Sequence, residues 1–278
     1  MNEFGGLWTK QKIDIVVEYA KAYLKIMNKY PYFKLVYFDG FAGSGSVKQS
    51  EGGGYRSMAG AAVKILSIEK PKTFDLYYFV EKRLDFCERL SLLVEKRFAE
   101  RKINIVSEDC NTKIKDLAHF LEKAENKYYR VLAFIDPYGM QVEWSSITTL
   151  KEHGVDLWIL VPTGVGVNRL LLKNGRISRP WIERLQSFLG LSFEEIESNF
   201  YRESQQGNIF GEKETLKIDN AIHRAGELYS KQLKTVFKHV SEPYILRNTK
   251  NSPMYHFVLA TDNPAGIKIA NDVIRKRI

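Results

Sequence analysis

Apolar runs alternate with amphipathic segments over the first 163 residues of this 278-residue chain. The apolar runs predict strands at 34–39, 75–80, 103–106, 131–135 and 157–161. Helical spacing of apolar residues predicts helices at 8–28, 58–67, 83–100, 111–125 and 143–152. Strands that alternate with helices form parallel sheets, so this part predicts a doubly wound α/β core.

The pattern changes after residue 163. Helical spacing predicts helices at 179–189, 192–200 and 214–239. Two further apolar runs, 243–247 and 255–261, flank a turn and predict an antiparallel hairpin, and a helix at 264–277 follows them.

These elements predict the fold class and a division of the chain. Five parallel strands plus an antiparallel C-terminal hairpin are typical of the Rossmann-like class I methyltransferase sheet, whereas a dehydrogenase would need six parallel strands. We therefore expect a core of residues 1–163 that binds S-adenosyl-L-methionine (SAM) and a helical insertion, or substrate subdomain, of residues 164–240 after strand five. Residues 241–278 would supply the strands and helix that complete the core.

The residues that follow the first predicted strand carry the strongest functional signal. The strand ends at Asp39, and Gly40, Gly43 and Gly45 come next. Glycine lets the backbone turn sharply and lets a ligand approach without meeting a Cβ atom. The order Gly-x-x-Gly-x-Gly differs from the Gly-x-Gly-x-x-Gly of dinucleotide folds, and no Gly-Lys-Ser/Thr of a P-loop follows. This turn, together with the second motif described below, predicts SAM as the cofactor.

Acidic residues at later strand ends extend the predicted cofactor site. Glu81 is placed to accept both ribose hydroxyls, and Asp109 is placed to accept from the adenine amino group. Glu81 could instead be a solvated charge at a helix start, and Asp109 could be a helix N-cap. The predicted cofactor-binding residues are Asp39, Gly40, Phe41, Ala42, Gly43, Ser44, Gly45, Glu81 and Asp109.

The fourth predicted strand ends in a second motif, Asp136-Pro137-Tyr138-Gly139. It resembles the Asp/Asn-Pro-Pro-Tyr/Phe signature of amino-group methyltransferases, in which the acid and a proline carbonyl accept from an exocyclic amine and the aromatic ring stacks on a flipped base. One proline is missing here, although Asp-Pro-Phe-Gly occurs in a family that methylates the guanine N2 amine of transfer RNA. We therefore predict Asp136, Pro137 and Tyr138 as catalytic residues, with an ordinary turn as the alternative.

Charge favours a polyanionic partner. Lys and Arg outnumber Asp and Glu by 42 to 33, which gives a formal net charge of +9. Neutralising phosphates releases counterions, so a basic surface favours nucleic acid, either RNA or DNA. The predicted substrate-binding residues are Lys10, Lys12, Arg169, Lys173 and Arg176. Solvated surface positions are the alternative for all of them, with Trp181 placed in the helical core.

Composition argues against a membrane protein, a secreted protein and a metal site. No run reaches the ~18–20 apolar residues of a membrane span, and no signal peptide is visible. Two cysteines, Cys87 and Cys110, fit a reducing cytoplasm and cannot build a zinc site. The five histidines are scattered, so we expect no metal and read them as structural.

Four parts of the chain resemble the three-Cys-motif partner (TcmP) proteins of bacteria and archaea. They are Trp8–Lys12, Tyr37–Gly45, Phe134–Gly139, and the tail Pro253–Ala260 with Asn263–Gly266. The resemblance covers nearly the full length and implies a SAM-dependent methyltransferase-like fold. It also implies a functional link to a separate iron–sulfur or radical-type protein that bears a three-cysteine motif. Two alternatives to nucleic-acid methylation stay open: a non-catalytic partner subunit with this fold, and methylation of a protein or small molecule.

Overall fold

A central sheet with helices on both faces organises the chain in the computed structural model, which describes residues 7–51, 54–207 and 213–277. The strands are β1 Lys34–Asp39, β2 Ser46–Glu51, β3 Gly54–Ala59, β4 Leu76–Val80, β5 Ile103–Val106, β6 Tyr129–Ile135, β7 Val155–Val161, β8 Tyr201–Gly207, β9 Lys213–Lys217, β10 His239–Val240, β11 Tyr244–Arg247 and β12 Pro253–Thr261. The helices are α1 Leu7–Met27, α2 Ala61–Leu66, α3 Leu84–Arg97, α4 Cys110–Glu122, α5 Trp144–Thr148, α6 Asn168–Leu170, α7 Arg179–Leu189, α8 Phe193–Phe200, α9 Ala221–Val236 and α10 Pro264–Arg275. A π-helical turn, Thr163–Val167, separates β7 from α6.

The strand order confirms the predicted fold class. Five parallel strands lie in the order β5-β4-β1-β6-β7. Next to β7 lies β12, which runs antiparallel to it, and both β10 and β11 pair antiparallel with β12 at the sheet edge. This is the mixed α/β sheet of the class I methyltransferase fold, and the carboxyl ends of β1, β4 and β6 share one edge of it.

Burial on both faces explains why the central strands are continuous apolar runs. In β1, Val36 and Phe38 point into one hydrophobic cluster, while Leu35 and Tyr37 point into the other. The first cluster is closed by α4, α7, α8 and α9, and the second by α1, α2, α3 and α10. Alternate side chains of the strand therefore fix the two helical layers.

Two polar hairpins depart from the predicted elements. The 46–56 region, for which the apolar pattern predicts neither a strand nor a helix, contains the antiparallel pair β2–β3. The helix predicted at 214–239 is β9 followed by α9, and β9 pairs with β8. Neither ribbon belongs to the main sheet, and Tyr201–Gly207 lacks an apolar alternation, so hydrophobic periodicity gave no signal for it.

The base of the β2–β3 hairpin lies against the glycine turn. The Gly60 N–H donates to the Gly45 carbonyl at 2.9 Å, and α2 begins only after Gly60. Residues 58 and 59 lie in β3, so the helix predicted at 58–67 begins only at Ala61. The two ends of the hairpin therefore lie directly beside the predicted cofactor turn.

The segment between β7 and β10 shares the core of the sheet. Buried side chains of α7, α8 and α9, including Phe188, Phe200 and Tyr229, belong to the same cluster as Val131 and Ile159 of the sheet. The division of the chain at residues 163 and 240 stays a prediction. In the described part of the chain, none of the helices combines the length and apolar character that crossing a membrane requires.

Candidate active site

Asp39 ends β1 as a buried carboxylate. Its side chain is 1% exposed and accepts a hydrogen bond from the Phe41 N–H at 3.1 Å and from the Tyr37 hydroxyl at 3.4 Å. Burial raises the pKa of Asp39 to about 7; the Phe41 hydrogen bond opposes this rise and the charge of Asp136 adds to it. A cation placed beside Asp39 would therefore stabilise its ionised form.

The three glycines of the turn serve different purposes. A Cβ atom on Gly40 would lie 2.5 Å from the Cys110 Sγ and 2.6 Å from the Ile135 Cδ1. Gly45, at φ +76°, packs against Leu90. Gly43 has φ +61° and no heavy atom within 4 Å of its Cβ position, so its outer side opens to space that a ligand can enter.

A matched pair of substitutions separates packing from ligand approach. Gly40→Ala is expected to cost about 1–3 kcal/mol of unfolding free energy, because its Cβ collides with a packed wall. Gly43→Ala is expected to cost about 1–2 kcal/mol from its left-handed backbone and, in addition, to weaken S-adenosylhomocysteine binding. Thermal unfolding with and without S-adenosylhomocysteine measures both effects. If Gly43→Ala binds this ligand as tightly as wild type, the glycine turn does not contact the cofactor.

Glu81 follows β4 and ties that strand to the glycine turn. The side chain is 5% exposed. One carboxylate oxygen accepts from the Gly43 N–H at 3.0 Å, and the other accepts from the Arg83 N–H at 2.9 Å. Each oxygen has two acceptor positions, so capacity for two ribose hydroxyls is left. The alternative of a solvated surface charge does not fit this burial.

Asp109 follows β5 and caps α4. Its carboxylate accepts from the Asn111 N–H at 2.9 Å and from the Lys82 ammonium at 3.4 Å. Partial burial favours a higher pKa for Asp109, but these hydrogen bonds outweigh it and the pKa is lowered. The N-cap role is thus observed, and a contact with adenine stays a prediction.

Asp136 follows β6 and is paired with the first helix. The Lys12 ammonium lies 2.5 and 2.7 Å from the two Asp136 oxygens, and the two side chains are only 8% and 19% exposed. The ammonium also lies 4.8 Å from the centre of the Trp8 ring, which is 5.3 Å from the Tyr255 ring. The first turns of α1 therefore cover Asp136. The sequence identified both charged residues but not their pairing.

The rest of the second motif is divided between core and solvent. Pro137 is buried, whereas the Tyr138 side chain is 55% exposed. The Tyr138 N–H donates to the Gln141 Oε1 at 3.0 Å, which fixes the turn. The Tyr138 ring is thereby presented at the same sheet edge as Asp136.

The basic segment after β7, residues 168–181, is largely exposed, and hydrogen bonds from Lys217 hold its first residues. Arg169, Lys173 and Arg176 are all exposed, as is Lys10 on α1. Trp181 is 40% exposed, so the alternative that it fills the helical core is wrong. The Lys217 ammonium donates to the Asn168 carbonyl, the Asn168 Oδ1 and the Leu171 carbonyl at 3.1, 3.0 and 2.7 Å. Lys217 had no motif around it, so sequence reasoning missed this anchor.

Tyr255 and His256 of β12 also lie at this edge, because β12 runs antiparallel to β7. His256 pairs with Val161 at the end of β7. Its Nδ1 lies 2.8 Å from the Thr163 hydroxyl, and burial lowers the pKa of His256 to about 4, so the ring is neutral near pH 7. Tyr255 and His256 lie near the start of β12 and not at its carboxyl end, so the pattern of acidic and glycine residues after strands gave no signal for them.

Across residues 7–51, 54–207 and 213–277, no three His, Cys, Asp or Glu side chains are grouped closely enough to hold a metal ion.

Comparison with known proteins gives structural neighbours only. No family model and no curated protein sequence matches the chain. It is similar to protein LPL1258 from Legionella pneumophila, described under DUF519, at 12% identity over 98% of this chain and 92% of that one, with a TM-score of 0.49. It is also similar to Trm1 from Pyrococcus horikoshii, solved with S-adenosyl-L-methionine, at 13% identity over 95% of this chain and 57% of that one, with a TM-score of 0.48. A third neighbour is the putative methyltransferase yhhF from Escherichia coli, at 13% identity over 72% and 86% of the two chains and a TM-score of 0.31.

Proposed function

We propose that this chain is a SAM-dependent methyltransferase that acts on an exocyclic amino group of a nucleic-acid base. One observation carries the proposal: Asp39 at the end of β1, with Glu81 and Asp136 directly after β4 and β6, lies at one edge of the sheet beside an open glycine turn. The Gly43–Glu81 hydrogen bond joins two of these strand ends directly. Ligands of doubly wound sheets bind at this edge.

The residues present fit SAM. The Gly43 backbone faces open space that a ligand can occupy and that a Cβ atom would partly fill. Asp39 is a buried acid with a raised pKa, and a ligand ammonium beside it would stabilise its ionised form. Glu81 would hold the ribose hydroxyls, and Asp109 would hold the adenine amino group. When bound, SAM supplies an electrophilic methyl group on its sulfonium.

The second motif fits an amine acceptor. Asp136 and the Pro137 carbonyl would accept from the amine N–H groups, which aims the nitrogen lone pair at the methyl group. Tyr138, exposed beside them, would stack on the base. In the free chain both oxygens of Asp136 are engaged by Lys12, so the acceptor must share or displace that ammonium.

The basic segment supports a nucleic-acid substrate. Arg169, Lys173 and Arg176 are exposed just beyond the carboxyl end of β7, where they would reach phosphates around an extruded base. The formal net charge of +9 acts in the same direction.

Methyl transfer to nucleic-acid pools tests the proposal. The protein is incubated with methyl-labelled SAM and separate pools of transfer RNA, ribosomal RNA and DNA, and labelled nucleosides are identified by mass spectrometry. We expect an N-methylated base with wild type and at least about a hundredfold slower labelling with Asp136→Ala. Label found only in protein, or in no pool, would contradict the proposed substrate class.

A second candidate is a non-catalytic partner subunit of a three-cysteine-motif protein, as the TcmP resemblance implies. Two observations favour this candidate: the Asp136 carboxylate is paired with Lys12, and the second proline of the motif is missing. S-adenosylhomocysteine binding without turnover on any pool, together with co-purification of such a protein, is the result expected for this candidate.

A further inference from the structure

An aromatic patch lies at the amino ends of β1 and β6, opposite the candidate active site. We name it the basal patch; its members are Tyr30, Tyr32, Phe33, Phe120, Tyr128 and Tyr129. Six large aromatic side chains are exposed in the described part of the chain, and four of them lie here. Tyr32 is 62% exposed, Tyr30 and Tyr128 are each 43% exposed, and Phe120 is 37% exposed.

The basal patch is continuous and held by the sheet. Tyr30 and Tyr32 contact each other and Phe33, with ring centroids 4.4–6.4 Å apart. The Arg130 guanidinium lies 4.0 Å from the Phe33 ring centre and thus joins this group to Tyr129. The Tyr129 ring lies 4.9 Å from both the Phe120 and the Tyr128 rings.

Register fixes the two halves relative to each other. Lys34 of β1 is paired with Tyr129 of β6, and the Lys34 N–H donates to the Tyr128 carbonyl at 3.0 Å. The exposed rings therefore lie around the paired amino ends of β1 and β6.

Cations interleave with these rings along the chain. The segments 29–34 and 127–130 read Lys-Tyr-Pro-Tyr-Phe-Lys and Lys-Tyr-Tyr-Arg, with four cations and no acid. Lys29 and Lys127 are exposed, and Lys34 lies 4.0 Å from Asp75. Acidic residues lie outside these two segments: Asp75 pairs with Lys34, and the exposed Glu122 and Glu125 are near Phe120 in the sequence.

We propose that the basal patch is a second nucleic-acid site, which binds unpaired bases of single-stranded RNA or DNA. Exposed aromatic rings interleaved with cations are the arrangement that single strands require, since the cations bind phosphates and every base has a face to stack. A duplex offers no free base faces, so the same surface selects single strands. β1 has six residues, so the basal patch lies roughly 20 Å from Asp39, too far to share one base with the active site. The inference does not depend on methyl transfer.

Binding of an unstructured oligonucleotide tests this assignment. Fluorescence anisotropy measures the affinity of a labelled single-stranded 12-mer for the full chain without cofactor. Tyr32→Ala with Tyr128→Ala is expected to weaken binding by about tenfold or more, because two rings that stack on bases are removed. Tyr32→Phe with Tyr128→Phe keeps the rings and is expected to bind like wild type.

A matched control uses apolar side chains exposed elsewhere. Leu84 and Leu92 on α3 are 63% and 69% exposed, and their replacement by alanine is expected to leave the affinity unchanged. Equal affinity of wild type and the Tyr→Ala pair would overturn the proposal. So would an equal loss for a blunt duplex of the same length, because stacking on unpaired bases would then not be the cause.

Discussion

Asp136→Ala is expected to reduce kcat/KM for methyl transfer by about 10²–10⁴-fold, the range typical of a group that binds the reacting amine in the transition state. The same change leaves the Lys12 ammonium buried without its partner. Breaking such a pair from one side costs about 3 kcal/mol of unfolding free energy. Activity and stability must therefore be measured separately, by initial rates at a temperature where the variant is folded and by thermal unfolding.

The Lys12→Met with Asp136→Leu double variant separates the two effects. Removing both charges leaves no unpaired ion, so the double variant is expected to lose less stability than the sum of the Lys12→Met and Asp136→Leu single variants. It is expected to stay inactive, because the amine acceptor is gone. Recovery of methyl transfer along with stability would show that Asp136 acts only in packing α1.

Asp39→Asn is expected to stabilise the free protein near neutral pH and to weaken S-adenosylhomocysteine binding by at least tenfold. Burial raises the pKa of Asp39 to about 7 in the folded chain, against 3.8 as its ordinary value. The folded state therefore holds a proton that the unfolded state releases between these two values. Stability is complete below the ordinary value and declines as pH rises toward 7, by up to about 4 kcal/mol.

The asparagine variant lacks this pH dependence. Its unfolding free energy between pH 4 and 7 should be flatter than that of wild type. In wild type, a ligand ammonium favours ionised Asp39, so S-adenosylhomocysteine affinity should fall by up to about tenfold per pH unit below 7. Parallel stability profiles for the two proteins would contradict the account of Asp39, as would equal ligand affinity.

The sequence predicted those parts of the fold that bury an apolar face. β1 and α7 lie at their predicted bounds, 34–39 and 179–189, because one is a fully covered strand and the other has a regular apolar stripe. The ribbons β2–β3 and β8–β9 were missed because they lie outside the main sheet and have weak apolar alternation.

The candidate site was predictable wherever strand topology alone fixes a residue's place. Asp39, Glu81 and Asp136 follow parallel strands, and parallel strands bring their carboxyl ends to one edge. The Lys12–Asp136 pair was not predictable, because it depends on how α1 docks across 124 residues of sequence separation. Tyr255 was missed because β12 runs antiparallel and starts at this edge.

Thermal unfolding with and without S-adenosylhomocysteine tests whether the end of β1 binds the cofactor, with Asp39→Ala as the control. A ligand at ~100 times its dissociation constant that binds only the folded state adds about 2.7 kcal/mol and raises the melting temperature measurably. We expect this rise in wild type and its loss in Asp39→Ala. An equal rise in both proteins, or none in wild type at millimolar ligand, would contradict a SAM site at the end of β1.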